Sequence, residues 1–312
     1  ELLPEGNTLT DDKLKGEKFD LTITNPPFGY EWKTDKALVE QEFKVPYHSR
    51  FMAGLPRTSD GQLLFLQNLI AKTEKNGRIA IILNGSPLFS GNAGSGESEV
   101  RRYVLENDLV EAIVALPDQL FYNTGISTYV WILSKNKAKK RHRKVQLIDA
   151  TGCWTEQKPK SLGNKRKEIT PEHRAEIVKL YRGFKEGERV KILEPEGFGY
   201  HKVTVERPLR DEQGNIVLKK GKKKADSALS DTENVPLKEK IGDYIAREVL
   251  PYAPDAWVDD SKTKIGYEIP FTRYFYRYVP PRPSRDILQE VVAIEEDIRD
   301  TLASLLGRNG NP

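Results

Sequence analysis

The apolar positions of the first 135 residues occur in short continuous runs, separated by segments of helical periodicity. Continuous runs of this length are typical of strands covered on both faces of a sheet. Four are present: "FDLTIT", "RIAIILN", "LVEAIVALP" and "STYVWILSK". Between the first two, "TSDGQLLFLQNLIAKTEKNG" predicts a helix whose apolar stripe consists of Leu63, Leu66, Leu69 and Ile70.

Capping residues predict where the helices begin and end. The first helix is predicted to have Ser59 or Asp60 as N-cap and Gly77 as C-terminal stop. A second is predicted from about Glu97 to Asn107. Only "DQLFYNTGI" joins the last two runs, which leaves no room for a crossover helix, so these strands are expected to be antiparallel. The order strand, helix, strand, helix, strand, strand predicts the second half of an α/β sheet whose first half is missing.

The chain from residue 29 to 58 has no clear period, and it is predicted to be a long loop or small insertion. Beyond residue 150 the pattern is mixed. "TPEHRAEIVKLYRGF" predicts a helix capped by Thr170 with Pro171 in its first position. "YHKVTVERPL", "RDEQGN" and "IVL" predict a β-hairpin, and "KKGKKKADSALSDTENVP" a flexible segment. The tyrosines of "FTRYFYRY" fit either an interaction surface or a half-buried strand: Tyr274, Tyr276 and Tyr278.

The C-terminal stretch "RDILQEVVAIEEDIRDTLASLLG" predicts a helix with a coiled-coil-like stripe of under three heptads. Thr301 occupies one seam position, and the stripe consists of Ile287, Val291, Ile294, Ile298 and Leu305. Two interpretations remain open, because the stripe can pack on its own domain or on a partner helix. The predicted organisation is a catalytic part over residues 1–150, a basic α+β region over 151–284 and an assembly helix over 285–312.

Composition narrows the class of protein. The 312 residues are 38% hydrophobic and 31% charged, and no run of some 18 apolar residues exists, so no membrane span is expected. The single cysteine, Cys153, excludes a disulfide framework and indicates a reducing compartment. The polar N-terminus does not resemble a signal peptide, and the absence of an initiator Met indicates a piece of a longer protein.

The net charge is only +4, but the positive charge is uneven. Residues 134–167 carry twelve Lys or Arg against two acids, and five lysines lie between 219 and 224. A basic segment on a balanced chain fits contact with an anionic polymer, although a solvated loop explains each run equally well. Within the first run, Lys139, Lys140 and Arg141 are candidate DNA contacts.

The strongest chemical signal is "NPPF", which ends the first strand. A nitrogen conjugated with a ring is a poor nucleophile, so its methylation requires acceptors for its N–H groups. The Asn25 side-chain oxygen and the Pro26 carbonyl can both accept, and Pro26 and Pro27 hold the corner rigid. Phe28 can stack on a planar substrate. A strand-ending turn with a core Phe is the alternative, which the surrounding α/β order disfavours.

Longer stretches identify a family. "KFDLTITNPPFG", "RRYVLENDLVEAIVALPDQLFYNTGISTYVWILSK" and, most specifically, "ENVPLKEKIGDYIAREVLPYAPDAWVDD" with "IGYEIPFTRYFYRYVPPR" resemble the modification subunit of type I restriction–modification systems. The resemblance covers nearly the whole chain. It implies a Rossmann-like prokaryotic cytoplasmic enzyme that uses S-adenosylmethionine to methylate the exocyclic amine of adenine in DNA. It also implies a specificity subunit and a restriction subunit as partners. Asn25, Pro26, Pro27 and Phe28 carry over as the catalytic motif.

The chain departs from the family in one respect. The glycine-rich cofactor loop is expected upstream of residue 1, so only Asn25 is assigned to the edge of the cofactor pocket and the isolated chain is expected to be inactive. The cluster "SGNAGSGESEVRR" lacks the GK[ST] of a phosphate loop. With Arg101 and Arg102 it can hold a DNA phosphate, although a flexible loop before a helix explains it better.

The remaining candidates are weaker. "NTG", which includes Asn123, joins two strands near the expected substrate edge and is a candidate DNA contact or a simple turn. The four histidines and Cys153 show no metal-ligand spacing, so no metal is predicted. Two other functions stay open. One is a DNA- and subunit-binding assembly module. The other is a glutamine methyltransferase, disfavoured because its motif more often ends in Tyr.

Overall fold

The computed structural model describes residues 5–45, 47–122, 124–157, 163–278 and 280–308, with side chains up to 304. Among these residues, no helix is long and apolar enough to cross a membrane. The chain divides into two compact units, Glu1–Phe275 and Tyr276–Pro312. Each is described by itself.

The first unit contains two main sheets and most of the helices. The strands, in chain order, are β1 (Phe19–Thr24), β2 (Thr73–Asn84), β3 (Val110–Ala115), β4 (Thr128–Ser134), β5 (Val145–Asp149), β6 (Thr155–Glu156), β7 (Lys167–Glu168), β8 (Val190–Leu193), β9 (Gly199–Glu206), β10 (Leu218–Lys219), β11 (Lys222–Lys223), β12 (Asp231–Pro236) and β13 (Trp257–Tyr267). The helices are α1 (Lys36–Phe43), α2 (Gln62–Lys72), α3 (Ser86–Phe89), α4 (Gly96–Glu106), α5 (Pro171–Gly183), α6 (Ile241–Glu248), α7 (Phe271–Phe275) and, in the second unit, α8 (Ser284–Arg308).

The large sheet has six strands in the order β1-β2-β4-β3-β5-β8. β1 runs parallel to β2, with Thr24 opposite Ile81, and β3 runs parallel to β5. β4 is antiparallel to both β2 and β3, which confirms the antiparallel pairing expected from the short connection. The predicted α/β class is confirmed, since α2 and α4 follow β1 and β2 in the predicted order.

Burial explains why the later apolar runs became strands, whereas β1, expected to be covered on both faces, has only Thr22 buried. Every residue of β3 is buried, and Trp131 of β4 is fully buried in the main core. The predicted stripe of α2 packs on this core through Leu63, Leu66 and Ile70, with Leu69 partly buried. Because each such side chain contributes about 1.5–3 kcal/mol when removed from water, this stripe fixes the helix on the sheet.

The predicted ends of α2 were wrong at both termini. The N-cap residue is Gly61, while the Asp60 carboxylate accepts from the Gln62 backbone N–H one residue further in. The helix stops at Lys72, because Thr73 already has extended dihedrals and begins β2. Gly77 is a strand residue beside β1, where an added Cβ would lie 2.9 Å from the Asp20 carbonyl oxygen.

The long loop predicted over residues 29–58 contains a helix, α1, and part of a small core of its own. Trp32, Val39 and Phe51 are buried together with Leu9 and Leu64. The sequence hid this cluster because its members come from four separate segments and share no period.

Only the turn end of the hairpin predicted over residues 200–218 is present. β9 is the central strand of a three-stranded antiparallel sheet in the order β12-β9-β13. Its partner β12 comes from the end of the segment predicted to be flexible. The predicted pairing is limited to a bridge between Arg210 and Ile216 and a hydrogen bond from the Val217 N–H to the Leu209 carbonyl (2.9 Å). Val203, Val205 and Val235 bury one side of this sheet against α6.

Two further predictions can be compared with the structure. α5 begins as predicted, with the Thr170 hydroxyl accepting from the His173 backbone N–H and Pro171 in the first turn. The aromatic segment is not a strand: Phe271–Phe275 forms α7, and Tyr276 and Tyr278 are exposed. The predicted boundaries at residues 150 and 284 stay predictions. Across the first of them, α5 packs on β5 and β8 pairs with β5.

The second unit consists mainly of α8, which confirms the predicted C-terminal helix. Its apolar stripe is exposed over the residues whose side chains are described, with exposed fractions of 47–60% for Ile287, Val291, Ile294 and Ile298. The side chain of Leu305 lies outside the described part, and Thr301 is exposed.

Candidate active site

The candidate site lies at the carboxyl edge of the large sheet. β1 and β2 are parallel, so their carboxyl ends meet at this edge, and the antiparallel β4 begins there, with Thr128 opposite Asn84. Carboxyl edges of open α/β sheets are where ligands bind. The Asn25–Phe28 corner therefore leaves β1 at the edge where a site is expected.

The corner presents an unused acceptor on a fixed backbone. Asn25 and Pro27 are exposed and Pro26 is buried. No hydrogen bond within the described residues uses the Asn25 side chain or the Pro26 carbonyl oxygen.

Phe28 is half-buried and faces a second aromatic ring. The rings of Phe28 and Phe121 pack edge to face, with centroids 5.4 Å apart and an angle of 82° between their planes. Phe121 comes from the loop between β3 and β4, whose two ends also reach the carboxyl edge. The corner thus combines an exposed amide acceptor with a pair of aromatic rings.

The loop that carries Phe121 is held from outside by residues 163–167. The backbone N–H of Asn164 donates to the Tyr122 carbonyl (2.8 Å), and that of Arg166 to the Gln119 carbonyl (3.0 Å). The ammonium of Lys165 lies 4.9 Å from the centre of the exposed Tyr122 ring. Asn123, a predicted DNA contact in this loop, lies outside the described residues.

Arg101 is enclosed by protein. Its side chain is fully buried in α4, where Nε donates to the Tyr267 carbonyl and Nη1 to the Pro87 carbonyl (3.1 Å). Burial lowers the pKa of Arg101 to about 10. A guanidinium enclosed in this way cannot contact a DNA phosphate, so that prediction is wrong for Arg101. Its neighbour Arg102 is half-exposed and pairs with Glu106.

The basic run after β4 lies at the wrong edge of the sheet for this site. β4 starts at the carboxyl edge and ends, seven residues later, at the amino edge, so Lys139, Lys140 and Arg141 lie roughly 20 Å from Asn25. Lys139 and Lys140 are exposed there. Arg141 is buried, which excludes it as a DNA contact, and its guanidinium stacks between Tyr181 (4.4 Å) and Phe184 (4.3 Å).

The free side of β1 borders the same site. β1 is the edge strand of the large sheet among the described residues. The face of β1 that carries Leu21 and Ile23 is apolar yet exposed, with exposed fractions of 59% and 71%. The turn after β1 is the Asn-Pro-Pro-Phe corner and not a glycine-rich loop.

Phe121 is the residue that sequence reasoning missed. Its only signal was an aromatic in the short connection between two antiparallel strands, and the pairing of those strands shows that the connection reaches the substrate edge. Among the described residues, no group of three or more His, Cys, Asp and Glu side chains is placed to hold a metal ion. Cys153 is buried, and its Sγ accepts from Arg189 (2.6 Å).

The sheet and its amide–proline corner define the class as the α/β methyltransferase fold. The family model for N-6 DNA methylases matches residues 3–206 of the 312, and the chain belongs to this family. Its relatives include methylase subunits of type I restriction enzymes. The MjaIX subunit of Methanocaldococcus jannaschii is 29% identical over 60% of this chain, and the HindI subunit of Haemophilus influenzae is 36% identical over 43%.

A solved structure agrees with this assignment. The type I restriction–modification methyltransferase subunit of Streptococcus thermophilus is 26% identical and superposes on 61% of this chain and 38% of that one, with a TM-score of 0.51. The matches to the MjaIX and HindI subunits cover 32% and 28% of those proteins. The matched part of this chain therefore spans about a third of the length of these relatives.

Proposed function

We propose that the chain forms part of the modification subunit of a prokaryotic, cytoplasmic type I restriction–modification enzyme and carries its target-base site. The substrate is the exocyclic amine of adenine in DNA. The observation that carries this proposal is the exposed, unpaired Asn25 acceptor beside the Phe28–Phe121 ring pair. The membership of this chain in the N-6 DNA methylase family and the names of its relatives support the proposal.

The chemistry follows from the acceptors. An adenine inside a duplex cannot reach Asn25, so the base must leave the stack. Its N–H groups then donate to the Asn25 side-chain oxygen and the Pro26 carbonyl. The bond between the methyl carbon and its sulfonium donor would break as the N–C bond forms. The amine nitrogen then becomes tetrahedral and positively charged, both acceptors strengthen their hold on it, and it returns to neutrality by releasing one N–H proton to water. Because the two prolines fix the corner beforehand, little reorganisation is required at that moment.

The cofactor contacts only part of this chain. S-adenosylmethionine supplies an electrophilic methyl group when bound. The residues present fit one side of a cofactor pocket, because the exposed apolar face of β1 lies directly before Asn25 in the acceptor corner. They include no glycine-rich turn after β1. We therefore assign the acceptor side of the site to this chain and expect the 312 residues alone to bind the cofactor weakly.

The ring pair is expected to hold the extruded base. In the enzyme that contains this chain, Phe28→Ala and Phe121→Ala should each weaken binding of a duplex with 2-aminopurine at the target position. Stacking contributes about 1–3 kcal/mol per base, so the affinity should fall about 5- to 150-fold and the fluorescence rise on binding should shrink. Phe43→Ala, a half-exposed ring on α1, is the matched control. An unchanged fluorescence rise in both site variants would refute the base-holding role.

A second function rests on α8. Its exposed stripe of Ile287, Val291, Ile294 and Ile298 favours a helical partner, and we propose the specificity subunit. Ile294→Asp should weaken co-purification with that subunit at least tenfold, since burying one such side chain contributes about 1.5–3 kcal/mol. Glu296→Ala, a polar residue of the same helix, is the control. Equal binding by both variants, or by a chain truncated after Arg285, would show that α8 has another role.

A protein substrate is the remaining alternative for the acceptor corner. Transfer of a labelled methyl group from S-adenosylmethionine by the full enzyme, offered DNA and a glutamine-containing peptide separately, distinguishes them. If the proposed function is correct, the labelled methyl group is found in DNA and not in the peptide.

A further inference from the structure

We propose that the connection from β2 to α4, residues 85–95, is the track on which the DNA backbone lies beside the target-base site. Three cationic side chains from other parts of the chain lie along this connection. They are Arg57, Lys202 and Lys264, and together they are called the cation strip. The inference rests on the proposed function for its substrate class. Part of this connection belongs to the glycine-rich sequence candidate, but the three cations are not among the sequence candidates.

The first cation lies over the start of the connection. Arg57 is 53% exposed, and its Nη2 donates to the Ser86 hydroxyl at 3.1 Å and reaches the Ser90 hydroxyl at 3.5 Å. The two hydroxyls are themselves 2.8 Å apart. A guanidinium with two adjacent hydroxyl groups offers several donors on one surface, which is what a phosphodiester oxygen accepts.

The other two cations lie over the end of the connection. Lys202 of β9 and Lys264 of β13 are directly opposite each other in the three-stranded sheet. The Lys202 ammonium lies 3.4 Å from the Asn92 side-chain oxygen, and a Cβ added to Gly94 would lie 3.5 Å from Lys264 Cδ. Both lysines therefore reach the same part of the connection, Asn92 to Gly94.

The opposition of Lys202 and Lys264 is itself informative. Like charges on directly opposed strand positions destabilise a sheet. No carboxylate of the described residues forms an ion pair with either ammonium. A polyanion lying over the pair would supply the missing negative charge.

Nearby carboxylates do not cancel the strip. Asp60 approaches Arg57 only to 3.9 Å and also accepts from the Gln62 amide at 2.9 Å. Glu97 is buried, and it accepts from the Arg57 backbone N–H at 2.8 Å. The strip thus keeps exposed positive charge at both ends of the connection.

The position of the strip fits a strand that delivers its base to Asn25. The connection starts where β2 ends, and β2 is the direct neighbour of β1 at the edge that carries the corner. From there it leads to β9 and β13. Because its cations lie at separate points along the connection, the strip matches a chain of phosphates better than one free phosphate ion.

Salt dependence of DNA binding tests the strip. The 312-residue chain is titrated with a fluorescein-labelled duplex, without cofactor, between 50 and 200 mM NaCl. Each phosphate contact contributes about 0.9 to the slope of log affinity against log salt. The triple variant Arg57→Gln/Lys202→Gln/Lys264→Gln should lower that slope by about 2.7, so that its affinity changes roughly 40-fold less over this range. Thermal melting of each variant reports whether the fold is retained.

The matched control is Lys139→Gln/Lys140→Gln, exposed lysines at the opposite edge of the sheet, which should leave the slope unchanged. A slope lowered by the control and not by the triple variant would overturn the proposal, as would no measurable binding by the unaltered chain at 50 mM salt. These results are separable from failure of the proposed function. An enzyme that methylates DNA but keeps its slope in the triple variant contradicts the strip alone, whereas binding through the strip without methyl transfer contradicts the function alone.

Discussion

Asn25→Ala is expected to lower the rate of methyl transfer about 10²–10³-fold while leaving the fold intact. Removing one preorganised group that stabilises developing charge typically costs about 10²–10³ in turnover. The side chain is exposed and takes part in no hydrogen bond among the described residues, so its removal should change the free energy of unfolding by less than about 0.5 kcal/mol. The measurement is turnover of the assembled modification enzyme with labelled S-adenosylmethionine, together with thermal melting of this chain.

Two controls separate a catalytic role from a structural one. Asn7→Ala removes an amide that bonds within the chain, donating from Nδ2 to Asp35 at 3.2 Å, so it should affect stability more than turnover. The salt slope for DNA binding should be unchanged in Asn25→Ala, because this residue contacts the base and not a phosphate. Full turnover of Asn25→Ala would remove the acceptor corner from the mechanism.

Arg141→Ala is expected to have the largest effect on stability. Its guanidinium donates to Gln146 Oε1 at 2.8 Å and lies 3.2 Å from the buried Glu111 carboxylate. Breaking a buried ion pair from one side typically costs 3–5 kcal/mol, since the remaining charge stays buried. Arg78 still reaches Glu111 at 3.1 Å, so the lower end of that range, about 3 kcal/mol, is expected from denaturant unfolding.

Lys140→Ala is the neighbouring control. It is exposed, and its ammonium lies 6.0 Å from the Phe184 ring, so its loss should change the free energy of unfolding by less than about 0.5 kcal/mol. Equal stability of the two variants would contradict the buried position of Arg141. A selective loss of DNA affinity in a stable Arg141→Ala protein would restore it as a DNA contact.

The contrast between Arg141 and Asn25 shows what the sequence could predict. The strand before Asn25 and the prolines after it are local signals, so the corner and its edge of the sheet followed from adjacent residues. The burial of Arg141 depends on Tyr181 and Phe184, which lie some forty residues downstream at the end of α5. A run of basic residues looks uniform in sequence, although one of its members is part of the core.

Long-range pairing explains the other differences. The pairing of β9 with β12 and β13 joins segments more than twenty residues apart, whereas the predicted hairpin used the nearest turn. Lys202 and Lys264 meet only through that pairing, so no spacing in the sequence marks the strip. Phe121 likewise reaches Phe28 only because β3 and β4 return to the edge where β1 ends.

The chemical identity of the methylated product tests the proposed function most directly. The assembled enzyme containing this chain is incubated with duplex DNA and labelled S-adenosylmethionine, and the DNA is digested to nucleosides and separated by mass. Label is expected in adenine that carries a methyl group on its exocyclic amine, formed about 10²–10³-fold more slowly by Asn25→Ala. Label in cytosine or in protein, or an Asn25→Ala enzyme that methylates adenine at the unaltered rate, would contradict the proposed function.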